Sequence, residues 1–233
     1  ITGDGMPERG MQAGSFMSVL GGEVREGELS SPRNAPIPHA IKFAIPGQVK
    51  HYDPSRPAGQ NLLEGRGYVW PAKTQDGKAP ENYTGANPEI KIGRLYTLPS
   101  GFNCDAMQTL PSQKICDAIK TYGSYDTDTN IGNLFRIRLQ ARDPDHWVVR
   151  DELKALLGLP SAGPVHIPWQ ASCGSTLKDK FGCDMQSIWN NLHIVANTSP
   201  THPKGGGSVP APQCSDTLDN DGDSLIDLAD PGC

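Results

Sequence analysis

The sequence predicts a mainly β fold: a β-sandwich or jelly-roll-like domain with a few short helices, followed by a small cysteine-closed calcium-binding loop. Three observations predict it. The 233 residues include 26 Gly and 21 Pro, a density that calls for many turns and short connections. Four short segments carry the alternation of half-buried strands. No apolar run approaches the ~18 residues of a membrane-spanning helix, yet 36% hydrophobic residues suffice to bury a core. The predicted organisation is a β-rich domain over 1–199, a Gly/Pro linker over 200–213 and the loop over 214–233.

Residues 1–35, rich in Gly, Ser, Glu and Arg, read as an irregular lead-in with one apolar stretch around Phe16 to Leu20. The chain starts at Ile1 without a secretory h-region, which suggests a processed or truncated product. From His39 to Ile45 the pattern alternates, with Ile41, Phe43 and Ile45 on one face and Lys42 on the other. That predicts the first strand. Residues 46–66 form a long polar loop, and Tyr68 to Trp70 a short strand ended by Pro71. A further loop over 72–89 leads to a strand from Glu89 to Leu98, with a bulge at Gly93.

Ser112 caps a helix after Pro111, which carries Ile115, Ala118, Ile119 and Tyr122 at helical spacing, with Gly123 as its stop. Phe135, Ile137 and Leu139 alternate with Arg136, Arg138 and Gln140 in a fourth strand. Asp151 to Leu157 and Met185 to Leu192 are short helices, the second feeding a strand from His193 to Ala196. Trp189, in phase with Met185 and Leu192, reads as core.

Cys104, Cys116, Cys173, Cys183, Cys214 and Cys233 contain no C-x-x-C and no zinc spacing, so they predict disulfides in an oxidising compartment. Three local pairs are expected, Cys104–Cys116, Cys173–Cys183 and Cys214–Cys233. The last pair brackets the most specific motif, CSDTLDNDGDSLIDLADPGC. Asp219, Asp221, Asp223, Asp227 and Asp230 stand at relative positions 1, 3, 5, 9 and 12. Calcium takes about six to eight oxygens, and this spacing turns several carboxylates inward, with the backbone carbonyl of Leu225 at position 7. Calcium is therefore the expected cofactor. Ser224 stands at position 6, where glycine is usual.

The chain carries 21 Lys+Arg against 26 Asp+Glu. Six of those acids lie in the tail, so the body is close to neutral. Nothing in that balance favours nucleic acid, which calls for a clustered basic surface, and it gives no polybasic membrane patch.

The body offers two weaker constellations. His39, Lys42 and Tyr68 are the residue types that abstract and return protons at a uronic-acid sugar. Tyr52, Tyr68 and Trp70 could form an aromatic platform for a sugar ring, against core packing as the plainer alternative. Asp126 and Asp128 resemble a glycosidase acid pair in type but read as a turn or polar strand edge. A nucleophile elbow, a zinc helix and a phosphate-binding glycine loop are absent from the sequence.

GGEVREGEL, IPHAIKF, GYVWPA, ICDAIKTYGSYDTD, LFRI and IWNNLHIVANTSP follow one another over residues 17–199. In this order they resemble a family of large, mostly uncharacterised secreted bacterial proteins. The tail separately resembles a Cys-flanked aspartate-rich element found in many secreted bacterial proteins. The resemblance implies secretion, a β-rich fold and a further region ahead of the matched segment. The leading functional reading is an extracellular structural or surface-binding protein with a calcium-stabilised tail. Its partners would be polysaccharide, other copies of itself or the missing N-terminal region. The alternative is a secreted carbohydrate-active enzyme, a polysaccharide lyase or glycoside hydrolase using the His39 region.

Overall fold

The computed structural model describes residues 14–18, 21–130, 136–137, 139, 148–162 and 173–204. The predicted calcium ligands Asp219, Asp221, Asp223, Leu225, Asp227 and Asp230, with Cys214 and Cys233, lie outside them.

The architecture corrects the expected β-sandwich: the described residues are mixed α/β, with one small sheet and four helices. The strands are β1 (Ile41–Pro46), β2 (Leu95–Thr97), β3 (Ser124–Asn130), β4 (Arg136–Ile137) and β5 (His193–Ile194), in the order β4-β1-β3-β2-β5. The two longest strands, β1 and β3, are central and parallel, from Ile41 beside Ser124 to Pro46 beside Asn130. A parallel pair needs a long crossover, and this one runs through residues 47–123. Stacked antiparallel hairpins cannot be built on that connection. The helices α1 (Ala79–Asn82), α2 (Leu110–Tyr122), α3 (Val148–Leu157) and α4 (Leu177–Asn190) complete the chain.

β1 forms where its alternation predicts, but every one of its residues is buried, as expected of a parallel strand covered on both faces. α2 also forms where its spacing predicts. Its cap is Thr109 rather than the expected Ser112, whose N–H donates to the Thr109 side chain, and Gly123 ends it at φ 81°. α4 begins at Leu177, well before the expected Met185, because Thr176 caps it through the Asp179 N–H. The expected strand at Tyr68–Trp70 reduces to isolated bridges, and the one at Glu89–Leu98 shrinks to β2.

α2, α3 and α4 enclose the main core. Ile115, Cys116 and Ile119 of α2 meet Ile41, Val149, Leu153, Phe181 and Ile188, all nearly inaccessible. Phe43 extends this packing with edge contacts to Tyr96 and to Trp189 of α4, at 5.3 and 6.2 Å between ring centroids. The irregular lead-in is tied down by polar groups. Glu152 of α3 accepts from the backbone N–H groups of Gly27, Leu29 and Ser30. Lys114 of α2 donates to the carbonyls of Ser31, Pro32 and Ala35 and to the Ser31 hydroxyl.

Two of the three expected disulfides, Cys104–Cys116 and Cys173–Cys183, are formed. Cys104–Cys116 spans 12 residues with both sulfurs in the core cluster. Replacing both cysteines with alanine is expected to cost about 3 kcal/mol of stability, by the chain-entropy relation for a loop of this size. The midpoint of urea unfolding measures it, and an unchanged midpoint would show the bridge to be dispensable. Among the described residues no helix is long and apolar enough to cross a membrane.

Candidate functional site

A groove of about 630 Å³ opens beside the sheet, between the lead-in and the loop that follows β1. Its volume lies in the range of small-molecule sites. Tyr125 of β3 forms one part of its lining and Trp70 another, with Met17, Leu62 and Pro71 adding apolar surface. Asn61, Lys73 and His39 supply the polar groups.

The loop carrying Trp70 is riveted from inside by Tyr68. That ring is 1% exposed; its hydroxyl donates to the Gly59 carbonyl at 2.9 Å and accepts from the Leu62 N–H at 3.1 Å. The Trp70 N–H donates back to the Leu63 carbonyl, and Asn61 N–H to the Lys73 carbonyl. Asn61 holds φ 62°, the left-handed region that asparagine enters more readily than most residues. Gly93 closes the base of this unit: its N–H donates to the Asp126 carbonyl on β3, and its neighbour Ile92 accepts from the Val69 N–H. The groove thus rests on β3 through a chain of backbone hydrogen bonds.

The structure separates the residues expected to do proton chemistry. His39 lines the groove, but both ring nitrogens face acceptors. Nδ1 is 2.9 Å from the Ala40 carbonyl, and Nε2 is 3.1 Å from both carboxylate oxygens of Glu28. The ring therefore presents no free lone pair to a ligand. The Lys42 ammonium is buried and donates to the Ser18 carbonyl at 2.7 Å. The Tyr68 hydroxyl is the internal rivet, and burial pushes its pKa up. These three do not converge on one point in the groove.

Of the expected aromatic platform, only Trp70 lines the groove. Tyr68 is core, and Tyr52 packs partly buried against the cluster of Met17, Tyr68, Ala72 and Tyr83. Tyr125 takes the second aromatic place; its hydroxyl donates to the Pro203 carbonyl at 3.0 Å, and burial raises its pKa. Sequence reasoning missed it because GSYDTDT does not look like a strand. Glu28, the partner of His39, was missed for want of any local signal.

Asp126 and Asp128 are corrected as well. They lie within the central strand β3, beside a register shift opposite Phe43 and Ala44, not at an edge. Asp126 is inaccessible and paired with the equally inaccessible Lys50. Around this pair stand Tyr83, whose hydroxyl donates to Asp76, and Thr129, which also donates to Asp76. Burial pushes the Lys50 ammonium down and the Asp126 carboxyl up, and each partner's charge opposes the shift of the other. Among the described residues no group of three or more His, Cys, Asp or Glu side chains could hold a metal ion. No protein-family model, curated protein or solved structure matches this chain, so its function is argued from the site alone.

Proposed function

We propose that the protein is a secreted binding protein that takes a saccharide ring in the Trp70–Tyr125 groove and carries a calcium-stabilised C-terminal loop. The observation that carries this reading is the pairing of two aromatic rings with the polar side chains of Asn61 and Lys73 around one groove. A sugar presents both chemistries at once, an apolar face for stacking and a ring of hydroxyls for hydrogen bonds. Binding is favoured over bond cleavage because His39 and Tyr68 spend their polar atoms on Glu28, Ala40, Gly59 and Leu62. The two disulfides, and the absence of a membrane-crossing helix among the described residues, are compatible with the extracellular location.

Titration with neutral and uronic-acid oligosaccharides, followed by tryptophan fluorescence, tests the reading. Trp70→Ala is expected to weaken binding by about 2 kcal/mol, on the order of thirtyfold in Kd, as for a central aromatic anchor. Binding that survives the substitution unchanged, or no binding at millimolar oligosaccharide, would remove the groove as the site. New reducing ends or unsaturated products during the titration would favour the enzyme reading instead.

A further inference from the structure

The Lys50–Asp126 pair is unusual in how few hydrogen bonds its ammonium makes. Both side chains are wholly inaccessible, and Lys50 Nζ touches Asp126 Oδ2. An ammonium has three donors to satisfy. Among the described residues Asp126 is its one hydrogen-bond partner, and the Tyr83 ring stands 5.9 Å away. The other carboxylate oxygen, Oδ1, is buried without a well-aligned hydrogen bond, although the Ile45 and Asp128 N–H groups lie close to the carboxylate. This fold handles an ammonium that it keeps quite differently: Lys114 has four acceptors within 3.3 Å. A buried ion pair whose ammonium is left with unsatisfied donors is a poor resting state.

We propose that Lys50 and Asp126 condense into an intramolecular isopeptide bond, so that the mature protein carries an amide between Nζ and Cγ. The ammonium first passes one proton to the carboxylate, giving a neutral amine beside a carboxylic acid. Burial favours that transfer, because it disfavours both charges. The Nζ lone pair then attacks Cγ. The tetrahedral intermediate moves a second proton from nitrogen to a hydroxyl, the C–O bond breaks, and one water leaves. The starting ammonium and carboxylate become one amide and one water, with no oxidant, reductant or cofactor required.

The surroundings suit this step. Lys50 is held in place by its own backbone, whose N–H donates to the Gly47 carbonyl and whose carbonyl accepts from the Gly85 N–H. Asp126 is fixed on both sides in β3, its N–H donating to the Arg94 carbonyl and its carbonyl accepting from Gly93. The two reacting groups are thus presented by rigid backbone in a site that excludes water, the condition under which proximity accelerates a condensation most. Asp76, accepting from Tyr83 and Thr129, fixes the Tyr83 ring that faces Nζ. Asp128, Tyr96 and Arg94 are the other polar groups near the pair. The bond would join residues 76 apart in sequence, linking the turn that follows β1 to the middle of β3. Unlike the disulfides, it would resist reduction.

Intact mass of the full chain, measured after reduction and denaturation, tests the proposal. The expected mass is that of the sequence less one water, with a branched peptide joining Lys50 to Asp126 in the digest. Lys50→Arg should restore the full sequence mass, and Asp126→Asn should lose ammonia in place of water. A wild-type mass equal to that of the sequence would overturn the proposal. So would a water loss mapped elsewhere, such as a cyclic imide at Asp76-Gly77.

Discussion

Gly93→Ala is expected to destabilise the protein by on the order of 4 kcal/mol or more, and to dismantle the groove with it. Gly93 holds φ 88°, where any side chain is strained, and a Cβ there would collide with the Val69 carbonyl oxygen and crowd the backbone N of Ala72. Backbone cannot rotate away as a flexible side chain can. The same residue donates to the Asp126 carbonyl and so joins the Trp70 loop to β3. Strain at this one position is therefore transmitted to the strand and the groove together. Gly101→Ala is the control, since a Cβ there meets nothing within 4 Å, and its effect should stay within about 1 kcal/mol. Urea unfolding of both variants measures the difference, and equal midpoints would show that the close approach at Gly93 relaxes.

The disposition of Gly93 also shows which parts of the fold were legible. Its role as a break in the Glu89–Leu98 segment could be read from sequence, because an isolated glycine in a strand pattern marks a bulge or a close backbone approach. What it approaches could not. α2 was legible because helical spacing and a glycine stop agreed, although the cap was expected at Ser112 and stands at Thr109. β1 was legible as a strand, though its alternation suggested one wet face and the structure buries both.

β3 was not legible, and the sandwich expectation failed with it. Ser124, Asp126 and Thr127 are fully buried polar residues in a central strand, so hydropathy reads the segment as surface. Two of them meet specific partners: Thr127 donates to the Phe43 carbonyl, and Asp126 meets Lys50 from a distant loop. Partners that far apart in sequence leave no local pattern. The same blindness hid the early start of α4, whose Asp184 faces inward to accept from the Gln108 and Thr109 N–H groups at the start of α2. In the groove, His39 and Trp70 were picked out as residue types. Their neighbour Tyr125 was lost because it belongs to the strand that could not be seen.

The tail obeys different physics, because its local pattern is the whole signal. Residues 214–233 carry six aspartates and no Lys or Arg, a density of like charge whose mutual repulsion opposes bringing the carboxylates together. A divalent cation removes the repulsion, so folding of this segment and calcium binding should be one event. The Cys214–Cys233 bond would reduce the entropy of the empty loop. Magnesium should substitute poorly, since it demands a tighter octahedral shell and keeps its waters. Asp223→Ala, at position 5, is expected to weaken calcium binding on the order of tenfold or more, because affinity follows the number of ligand charges. Asp216→Ala removes the same charge outside the ligand spacing and should change affinity far less. Calorimetry of the oxidised full chain distinguishes a built site from diffuse attraction. Equal losses from the two substitutions, or no heat at millimolar calcium, would reduce the aspartates to solvating charge.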